Sequence, residues 1–300
     1  YRELPLKLAE LSPQFRYENS GELTGLMRVR MFCLSDAHIF IKPDQAQEVV
    51  LSVVKLIDKI NLTFGLKKGE DYSFRLSLGD RKDEKKYYKD DAAWDASEEE
   101  LRQVLKSSGD KFTEAAGEAA FYGPKIDVQM KNIHGKEETA FTIQYDFVMP
   151  KRFDLKYIDS DGTEKQPVVI HRSSIGAFER TMAFLIEKYN GAFPGWLSPI
   201  QIEVIPVSDK VLDYAKEIEK KLKDEGLRAE LNDKNEKLGA KIRDAQLQKT
   251  PYMIIIGQKE LESGKISLRL RDEMDLGQMS LDEFIQAVKN KILTKSLDLW

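Results

Sequence analysis

The chain has 300 residues, of which 41% are hydrophobic, which allows one large domain or two ordinary ones with buried cores. Its 51 acidic and 47 basic residues give a net charge of −4, which excludes a protein that coats nucleic acid through overall positive charge but allows a local basic face. The single cysteine, Cys33, excludes an internal disulfide, and the lack of a signal peptide or of an apolar stretch near the roughly 20 residues of a bilayer span indicates a cytoplasmic protein without a membrane segment.

The first two thirds of the chain predict a mixed α+β domain. Residues 14–33 alternate apolar and polar side chains and predict two antiparallel strands joined by a loop. Pro43 opens an amphipathic helix to about Ile60, and Ser97 with Glu100 forms a capping-box pattern for a second helix. Further predicted elements are strands at Tyr72–Leu78, Lys125–Met130, Thr139–Val148 and Val168–His171, a charged loop at Gly79–Asp91 and a helix at Gly176–Tyr189. Hairpin-type connections favour an antiparallel sheet flanked by helices.

The stretch Phe193–Pro199 breaks this pattern, so we divide the chain into domains of residues 1–197 and 198–300. After it, strands are predicted at Ile200–Pro206, Leu227–Leu231, Tyr252–Ile256 and Ile266–Leu270, and helices at Val211–Lys223, at Leu238–Leu247 and after a capping box of Ser280 and Glu283. The alternation predicts a small α/β domain with parallel pairing, in which Met253–Ile256 is a central strand covered on both faces. The opening Tyr-Arg-Glu-Leu-Pro-Leu lacks an initiator methionine, so we expect a piece of a longer protein.

Two widely separated segments carry arginines suited to phosphate or carboxylate oxygens. In the first, Arg16, Arg28 and Arg30 are expected on the two paired strands, which would hold their planar guanidinium groups rigidly. In the second, Gly176-Ala-Phe-Glu-Arg180 opens a helix. From spacing alone, solvated strands explain the first segment equally well, and an ordinary amphipathic helix explains the second segment better.

Together the two segments resemble motifs 2 and 3 of class II aminoacyl-tRNA synthetases. The stretches Ala120–Ile126, Thr142–Phe147 and Val169–Arg172 narrow the resemblance to the threonyl-tRNA synthetase family, from just after its motif 1 to its C-terminus. Residues 234–260 are similar to the anticodon-binding domain of that family. The resemblance implies an α+β catalytic domain with an antiparallel sheet, lacking its N-terminal part, followed by a small α/β anticodon-binding domain with a mixed sheet.

The same resemblance assigns an ATP site. Its implied members are Arg16, Glu18, Arg28, Phe32, Gln144 and Arg180, of which Arg16, Arg28 and Arg180 are catalytic. Arg16 would hold the α-phosphate and Arg28 the distal phosphates, while Phe32 and Arg180 would sandwich the adenine. The implied reaction joins threonine to ATP, with Mg²⁺, as threonyl-adenylate, and then transfers the acyl group to tRNA(Thr). The family also implies a homodimer in the full-length protein.

The threonine site implied by the family includes zinc. The chain has three histidines, and spacing alone indicates structural or surface roles for His38 and His171. In the family these positions bind Zn²⁺ together with an upstream cysteine, and Cys33 does not match that cysteine. Asp36 would accept a hydrogen bond from the threonine hydroxyl, and Tyr122 would contact the amino group. An open zinc position rejects valine because valine would leave it unpaired.

For the C-terminal domain the resemblance implies that four side chains read anticodon bases. They are Asn235, Arg243, Glu260 and Arg269, with phosphate contacts from Lys237, Lys241 and Lys249. Without the resemblance, a solvated helix face explains these residues better.

Three positions depart from the family pattern. Leu34 replaces a common glutamine, and Thr139 and Phe141 lie where the family often has glutamine and glycine, so Phe141 is expected to crowd the ATP ribose. Two alternatives therefore stay open: a related class II enzyme such as the prolyl synthetase, and a divergent or truncated RNA-binding paralogue without activity.

Overall fold

The computed structural model describes all of residues 1–300, which divide into two compact units, residues 1–187 and residues 188–300. Each unit has its own main sheet and its own apolar core. None of the helices combines the length and apolar character needed to cross a membrane.

The elements up to residue 189 are strands and helices, with several runs of consecutive strands. The strands are β1 (Leu6–Phe15), β2 (Met31–Ile41), β3 (Tyr72–Leu78), β4 (Phe112–Ala116), β5 (Lys125–Lys131), β6 (Glu137–Asp146), β7 (Tyr157–Ile158), β8 (Glu164–Lys165) and β9 (Val168–Ala177). The helices are α1 (Ala46–Thr63), α2 (Asp91–Ser107), α3 (Met149–Arg152) and α4 (Phe178–Tyr189).

The first sheet has seven strands in the order β1-β2-β9-β6-β5-β3-β4. All neighbours are antiparallel, as predicted, except β3 and β4, which are parallel because α2 provides the crossover between them. Helices α1 and α2 cover one face, where Val50, Ile57 and Leu101 meet Ile143 and Ile170 of the sheet. Each of these side chains is fully buried, which stabilises the fold by about 1.5–3 kcal/mol per residue. The opposite face is left for polar side chains.

The predicted hairpin exists, but its strands lie further apart in sequence than expected. Strand β1 ends at Phe15 and β2 begins at Met31, so the three arginines of this segment lie in the connection and not on the strands. The backbone N–H of Arg16 still donates to the carbonyl oxygen of Arg30 at 2.9 Å, which holds the two ends of the connection together.

The capping box predicted at Ser97 is wrong. Helix α2 begins at Asp91, and the carboxylate of Asp90 accepts a hydrogen bond from the backbone N–H of Ala93 at 3.2 Å. Ser97 is buried within the helix, and its hydroxyl donates to the carbonyl oxygen of Trp94. An aspartate at the start outcompetes a later serine because it satisfies an otherwise unpaired N–H of the first turn.

The second unit is a five-stranded mixed sheet with helices on both faces. Its elements are β10 (Ile202–Pro206), α5 (Leu212–Asp224), β11 (Ala229–Leu231), α6 (Leu238–Leu247), β12 (Tyr252–Ile256), α7 (Gln258–Ser263), β13 (Ile266–Leu270), β14 (Asp275–Met279) and α8 (Leu281–Leu293). The strand order is β11-β10-β12-β13-β14, with β10 parallel to both neighbours, so parallel pairing and a central β12 are confirmed. The cap of α8 is also confirmed, since Ser280 accepts from the N–H of Glu283. Helix α7 and strand β14 were not predicted.

The linker segment, residues 190–197, is tied to the second unit. The guanidinium group of Arg271 donates to the carbonyl oxygens of Ala192 and Phe193, the former at 2.8 Å. The side-chain amide of Gln201 donates to the carbonyl oxygen of Gly195 at 2.9 Å. These contacts give the linker segment a fixed path although it has no regular secondary structure.

Candidate functional site

The polar face of the first sheet brings residues from three strands into one row. His38 of β2 lies directly opposite His171 of β9, and His171 lies opposite Gln144 of β6. Because alternate residues of a strand share a face, Asp36 lies on the same face as His38, whereas Cys33 lies on the other. The two predicted zinc ligands are therefore neighbours, and the cysteine does not share their face.

A bulge in β9 shapes this row. The pairing between β2 and β9 slips by two residues between Ser35 and Asp36, which face Gly176 and Ser173 respectively. Gly176 has φ +75°, and a Cβ there would lie 2.7 Å from the carbonyl oxygen of Ala140. The bulge is closed by the hydroxyl of Ser173, which donates to the carbonyl of Ser35 and accepts from the N–H of Gly176 at 2.8 Å. Only glycine fits this close approach. The bulge lies just before Phe178, so it fixes the end of β9 from which α4 begins.

The polar face contains a cavity of about 390 Å³. It is lined by every predicted site residue of the first unit except His38: Arg16, Glu18, Arg28, Phe32, Asp36, Tyr122, Gln144, His171 and Arg180. His38 lies just beyond, with its ring edge-on to the ring of His171 and the two centroids 4.7 Å apart. Residues from distant parts of the chain thus converge on one pocket.

Arg180 is a half-buried cation of the cavity. Its guanidinium group donates to the carbonyl oxygen of Thr139 at 2.8 Å and to that of Met27 at 3.1 Å. Burial lowers its pKa below the ordinary value, and the positive charges of Arg16 and Arg28 act in the same direction. Three guanidinium groups within electrostatic range of one another favour an anionic ligand.

The other cationic wall pairs an arginine with an acid. Arg28 donates through Nε to Glu18 Oε2 at 3.0 Å, and this hydrogen bond is the main reason that the pKa of Glu18 is lowered. Arg30 donates to the carbonyl oxygen of Glu18 at 3.0 Å, which fixes the acid further. Arg16 is not engaged in this pair; its guanidinium carbon lies 5.1 Å from the centre of the Phe32 ring. A ligand anion therefore meets Arg16 directly, but it must share Arg28 with Glu18.

The far end of the cavity is built around Tyr122. Its hydroxyl donates to the side-chain oxygen of Gln144, and its ring centroid lies 5.3 Å from that of His171. Burial raises the pKa of Tyr122 to about 12, and the negative charges of Asp146 and Asp36 contribute. The hydroxyl stays protonated at neutral pH and offers a fixed polar contact.

Asp146 was missed by sequence reasoning and orients His171. Its fully buried carboxylate lies 2.8 Å from Nε2 of His171 through Oδ2, while Oδ1 accepts the backbone N–H groups of Val148 and Met149 at 2.9 and 2.8 Å. Because a carboxylate can only accept, Nε2 of His171 carries the hydrogen and Nδ1 is left as an acceptor or metal ligand. The available signal was an aspartate just before the Pro150 helix start, an N-terminal capping pattern.

Glu179, in the first turn of α4, was also missed. Its carboxylate lines the cavity and accepts the backbone N–H of Cys33 at 3.1 and 3.2 Å. The ladder between β2 and β9 ends at Leu34, opposite Ala177, so Cys33 lies one residue beyond that pairing. Glu179 therefore ties the helix that carries Arg180 to the strand that carries Phe32.

The three residues that depart from the family pattern lie partly in the core and partly at the cavity. Phe141 is only 4% exposed and packs in the core of the first unit, although it also borders the cavity beside Gly176. Leu34 lines the cavity directly, and Thr139 contributes the backbone carbonyl that holds Arg180. Because Phe141 is buried in the core, the expected crowding of the ATP site is limited to its cavity-facing edge.

In the second unit, only some of the four side chains predicted to read bases lie on the side of the sheet that α6 covers. Arg269 of β13 is half-buried and lies opposite Met253, whose side chain packs beneath α6. Arg243 lies on α6 itself and is exposed, and Asn235 is exposed just before that helix. Glu260 is buried on α7. No hydrogen bond or ion pair joins these four side chains to one another, so their joint role stays a prediction.

Lys241 does not fit its predicted phosphate contact. It is 5% exposed, and its ammonium group donates to the carbonyl oxygens of Asn232 and Pro206 at 3.1 and 3.3 Å. Its charge is satisfied inside the protein, whereas Lys237 and Lys249 are exposed.

Two family models match the chain. Residues 1–189 match the tRNA synthetase class II core domain (G, H, P, S and T), and residues 201–291 match the anticodon binding domain. A threonine–tRNA ligase of Bacillus subtilis (strain 168) is 50% identical over 287 residues, which cover 95% of this chain and 44% of the relative. The chain thus spans about half the length of the curated relatives it matches.

Two solved structures extend the comparison. The RNA binding domain of threonyl-tRNA synthetase from Cryptosporidium parvum superposes with a TM-score of 0.89 at 34% identity, covering 97% of this chain and 71% of that chain. Prolyl-tRNA synthetase from the same organism gives a TM-score of 0.67 at 14% identity, covering 98% of this chain and 58% of that chain, a likeness of fold alone.

Proposed function

Because the chain belongs to the class II tRNA synthetase family, with a core domain followed by an anticodon-binding domain, we propose that its protein is a threonine–tRNA ligase. Its substrates are threonine, ATP with Mg²⁺ and tRNA(Thr), and it acts in the cytoplasm as a homodimer. Residues 1–197 form the catalytic domain and residues 198–300 the anticodon-binding domain. The observation that best supports this proposal is the cavity that gathers cations from both arginine segments.

In the proposed reaction the threonine carboxylate attacks the α-phosphorus of ATP. The bond to the bridging oxygen breaks, pyrophosphate leaves, and threonyl-adenylate forms; the acyl group then moves to the terminal ribose of the tRNA. Arg16 stabilises the charge that builds up on the α-phosphoryl oxygens, since no carboxylate competes for it. Arg28 contacts the distal phosphates, and Arg180 with Phe32 holds the adenine, with Glu18 and Gln144 beside the nucleotide. No protein base is required, because the attacking carboxylate is already ionised at neutral pH.

The residues at the far end of the cavity fit a zinc ion. His38 and His171 present adjacent imidazoles, and Asp146 orients the second ring in the way that carboxylates orient zinc-bound histidines. A zinc ion held by His38 and His171 would bind the amino group and the hydroxyl of threonine. Asp36 accepts the hydroxyl hydrogen bond and Tyr122 contacts the amino group, so valine, which lacks the hydroxyl, leaves a polar partner unpaired.

ATP–pyrophosphate exchange by the full-length protein tests this proposal. Threonine should support exchange and proline should not. Exchange with proline alone would show that the protein is a prolyl enzyme. The absence of exchange with any amino acid would favour an RNA-binding paralogue. Arg180→Ala should lower exchange mainly by raising the KM for ATP, because Arg180 is proposed to hold the adenine and not the reacting phosphate. Arg102→Ala is the matched control, because Arg102 forms its ion pairs with Glu99 and Glu114, outside the cavity.

A further inference from the structure

Glu260 is the third residue of helix α7, and its side chain accepts from the backbone N–H of the N-cap residue Gly257, as in a capping box. Glu260 as a whole residue is 9% exposed, and its Oε2 accepts this N–H at 2.9 Å. A Cβ on Gly257 would lie 3.0 Å from Oε2, so the carboxylate packs directly against the glycine backbone. This side of the carboxylate is therefore fixed by the chain.

The other carboxylate oxygen is held by a residue from a different strand. The side-chain amide of Gln278, on β14, donates to Glu260 Oε1 at 2.6 Å. Gln278 is exposed and lies opposite Ser267 of β13, on the face of the sheet that also carries Arg269. The amide nitrogen must face the carboxylate, because a carboxylate only accepts.

Held from both sides, the carboxylate keeps part of its accepting capacity. Each of its oxygens has two lone pairs and uses one, so one acceptor site remains on each oxygen of Glu260. Two adjacent acceptor sites in a fixed plane match a ligand edge with neighbouring N–H donors. Without Gln278 the carboxylate would lose one restraint. Binding of the ligand would then have to order the carboxylate, which costs free energy of binding.

We propose that Gln278 is a positioning residue for RNA specificity: it holds Glu260 so that the carboxylate selects base edges carrying N–H donors. This inference rests on the proposed anticodon-reading role of the second unit. Gln278 acts in two ways: one amide N–H fixes Glu260, and the amide oxygen and the other N–H stay at the exposed surface beside it. Its contribution appears in discrimination between bases and not in attraction to phosphate.

The experiment measures binding of the 300-residue chain to a fluorescent anticodon stem–loop of tRNA(Thr) and to stem–loops with single anticodon-base changes. Gln278→Met removes the amide at nearly constant length and should reduce discrimination at one base position by roughly tenfold, the scale of one hydrogen bond to a charged group. Affinity for the mismatched loops and the salt dependence should stay within about twofold, because no phosphate contact is removed.

The chain offers a matched control. The exposed side-chain amide of Gln258 donates to the carboxylate of Glu262 at 2.9 Å. This is also an amide–carboxylate hydrogen bond, and it lies on α7, the helix of Glu260, but does not involve Glu260. Gln258→Met should leave discrimination unchanged, and thermal unfolding of both methionine variants should match that of the parent chain.

A third variant, Glu260→Gln, separates the inference from the function on which it rests. If Glu260→Gln loses discrimination and Gln278→Met keeps it, the role of Gln278 is refuted while base reading by Glu260 stands. If both variants keep full discrimination, both roles fall. If the parent chain binds no stem–loop, the proposed anticodon-reading role is itself wrong.

Discussion

Replacement of Asp146 tests how the cavity is organised. Asp146→Ala removes the acceptor for the N–H groups of Val148 and Met149 and the partner of His171. Each buried donor left unpaired costs about 1–3 kcal/mol, so the two backbone groups predict that the free energy of unfolding of the first unit falls by about 2–6 kcal/mol.

Asp146→Asn is the matched control. The side-chain oxygen of asparagine can still accept both N–H groups, so most of this stability should be kept. Its amide nitrogen, however, presents hydrogens to Nε2 of His171, where the carboxylate accepted one. His171 should therefore move its hydrogen from Nε2 to Nδ1.

Two measurements follow these variants in the 300-residue chain. Urea unfolding, with amide hydrogen exchange to assign the loss to the first unit, should show a large effect for alanine and a small one for asparagine. Nitrogen NMR of His171 should show the change of tautomer in the asparagine variant. Equal destabilisation by both substitutions would refute the explanation by backbone acceptors, and an unchanged tautomer would refute the orienting role of Asp146.

Three further outcomes are expected. Gly123→Ala should destabilise the first unit by at least about 3 kcal/mol in urea, since its Cβ would lie 1.7 Å from the backbone oxygen of Tyr145, whereas Gly135→Ala, with no atom within 4 Å, should cost about 1–2 kcal/mol from left-handed backbone strain. Stability should fall as the pH rises from about 10 to about 12, because burial raises the pKa of Tyr122 to about 12 and the unfolded chain ionises first; Tyr122→Phe should weaken this fall in pH-dependent unfolding curves. Arg271→Ala should speed amide hydrogen exchange in the linker segment, and unchanged exchange would show that its carbonyl contacts do not hold the chain there.

Periodicity predicted the strongly patterned elements well. Strands β3, β12 and β13 and helix α6 have the predicted bounds, and the apolar side chains of the three strands form the cores of their sheets. Strand β4 was missed because its five residues carry little apolar signal and it pairs in parallel only after α2 has returned the chain. The wrong cap at Ser97 arose because two capping residues competed and the sequence does not show which one begins the helix.

The site shows a different limit. The resemblance named the residues that reach the cavity, and the structure brings nearly all of them together. It gave no role to Asp146, Glu179 or Gln278, because each acts through another residue and its partner is not its neighbour in sequence. Pairings across a sheet become visible only when the register of the strands is known.

The contact between Glu179 and the backbone of residue 33 places an uneven constraint on substitutions. Because Glu179 accepts a main-chain N–H, the side chain at position 33 is free to vary, and only proline, which has no N–H, is incompatible with the contact. Position 179 has less freedom, because a shorter acid cannot reach this N–H and an amide of the same length accepts through only one oxygen. In a saturation library scored for activity, position 33 should therefore accept most residues other than proline. Position 179, on helix α4, should instead strongly favour glutamate.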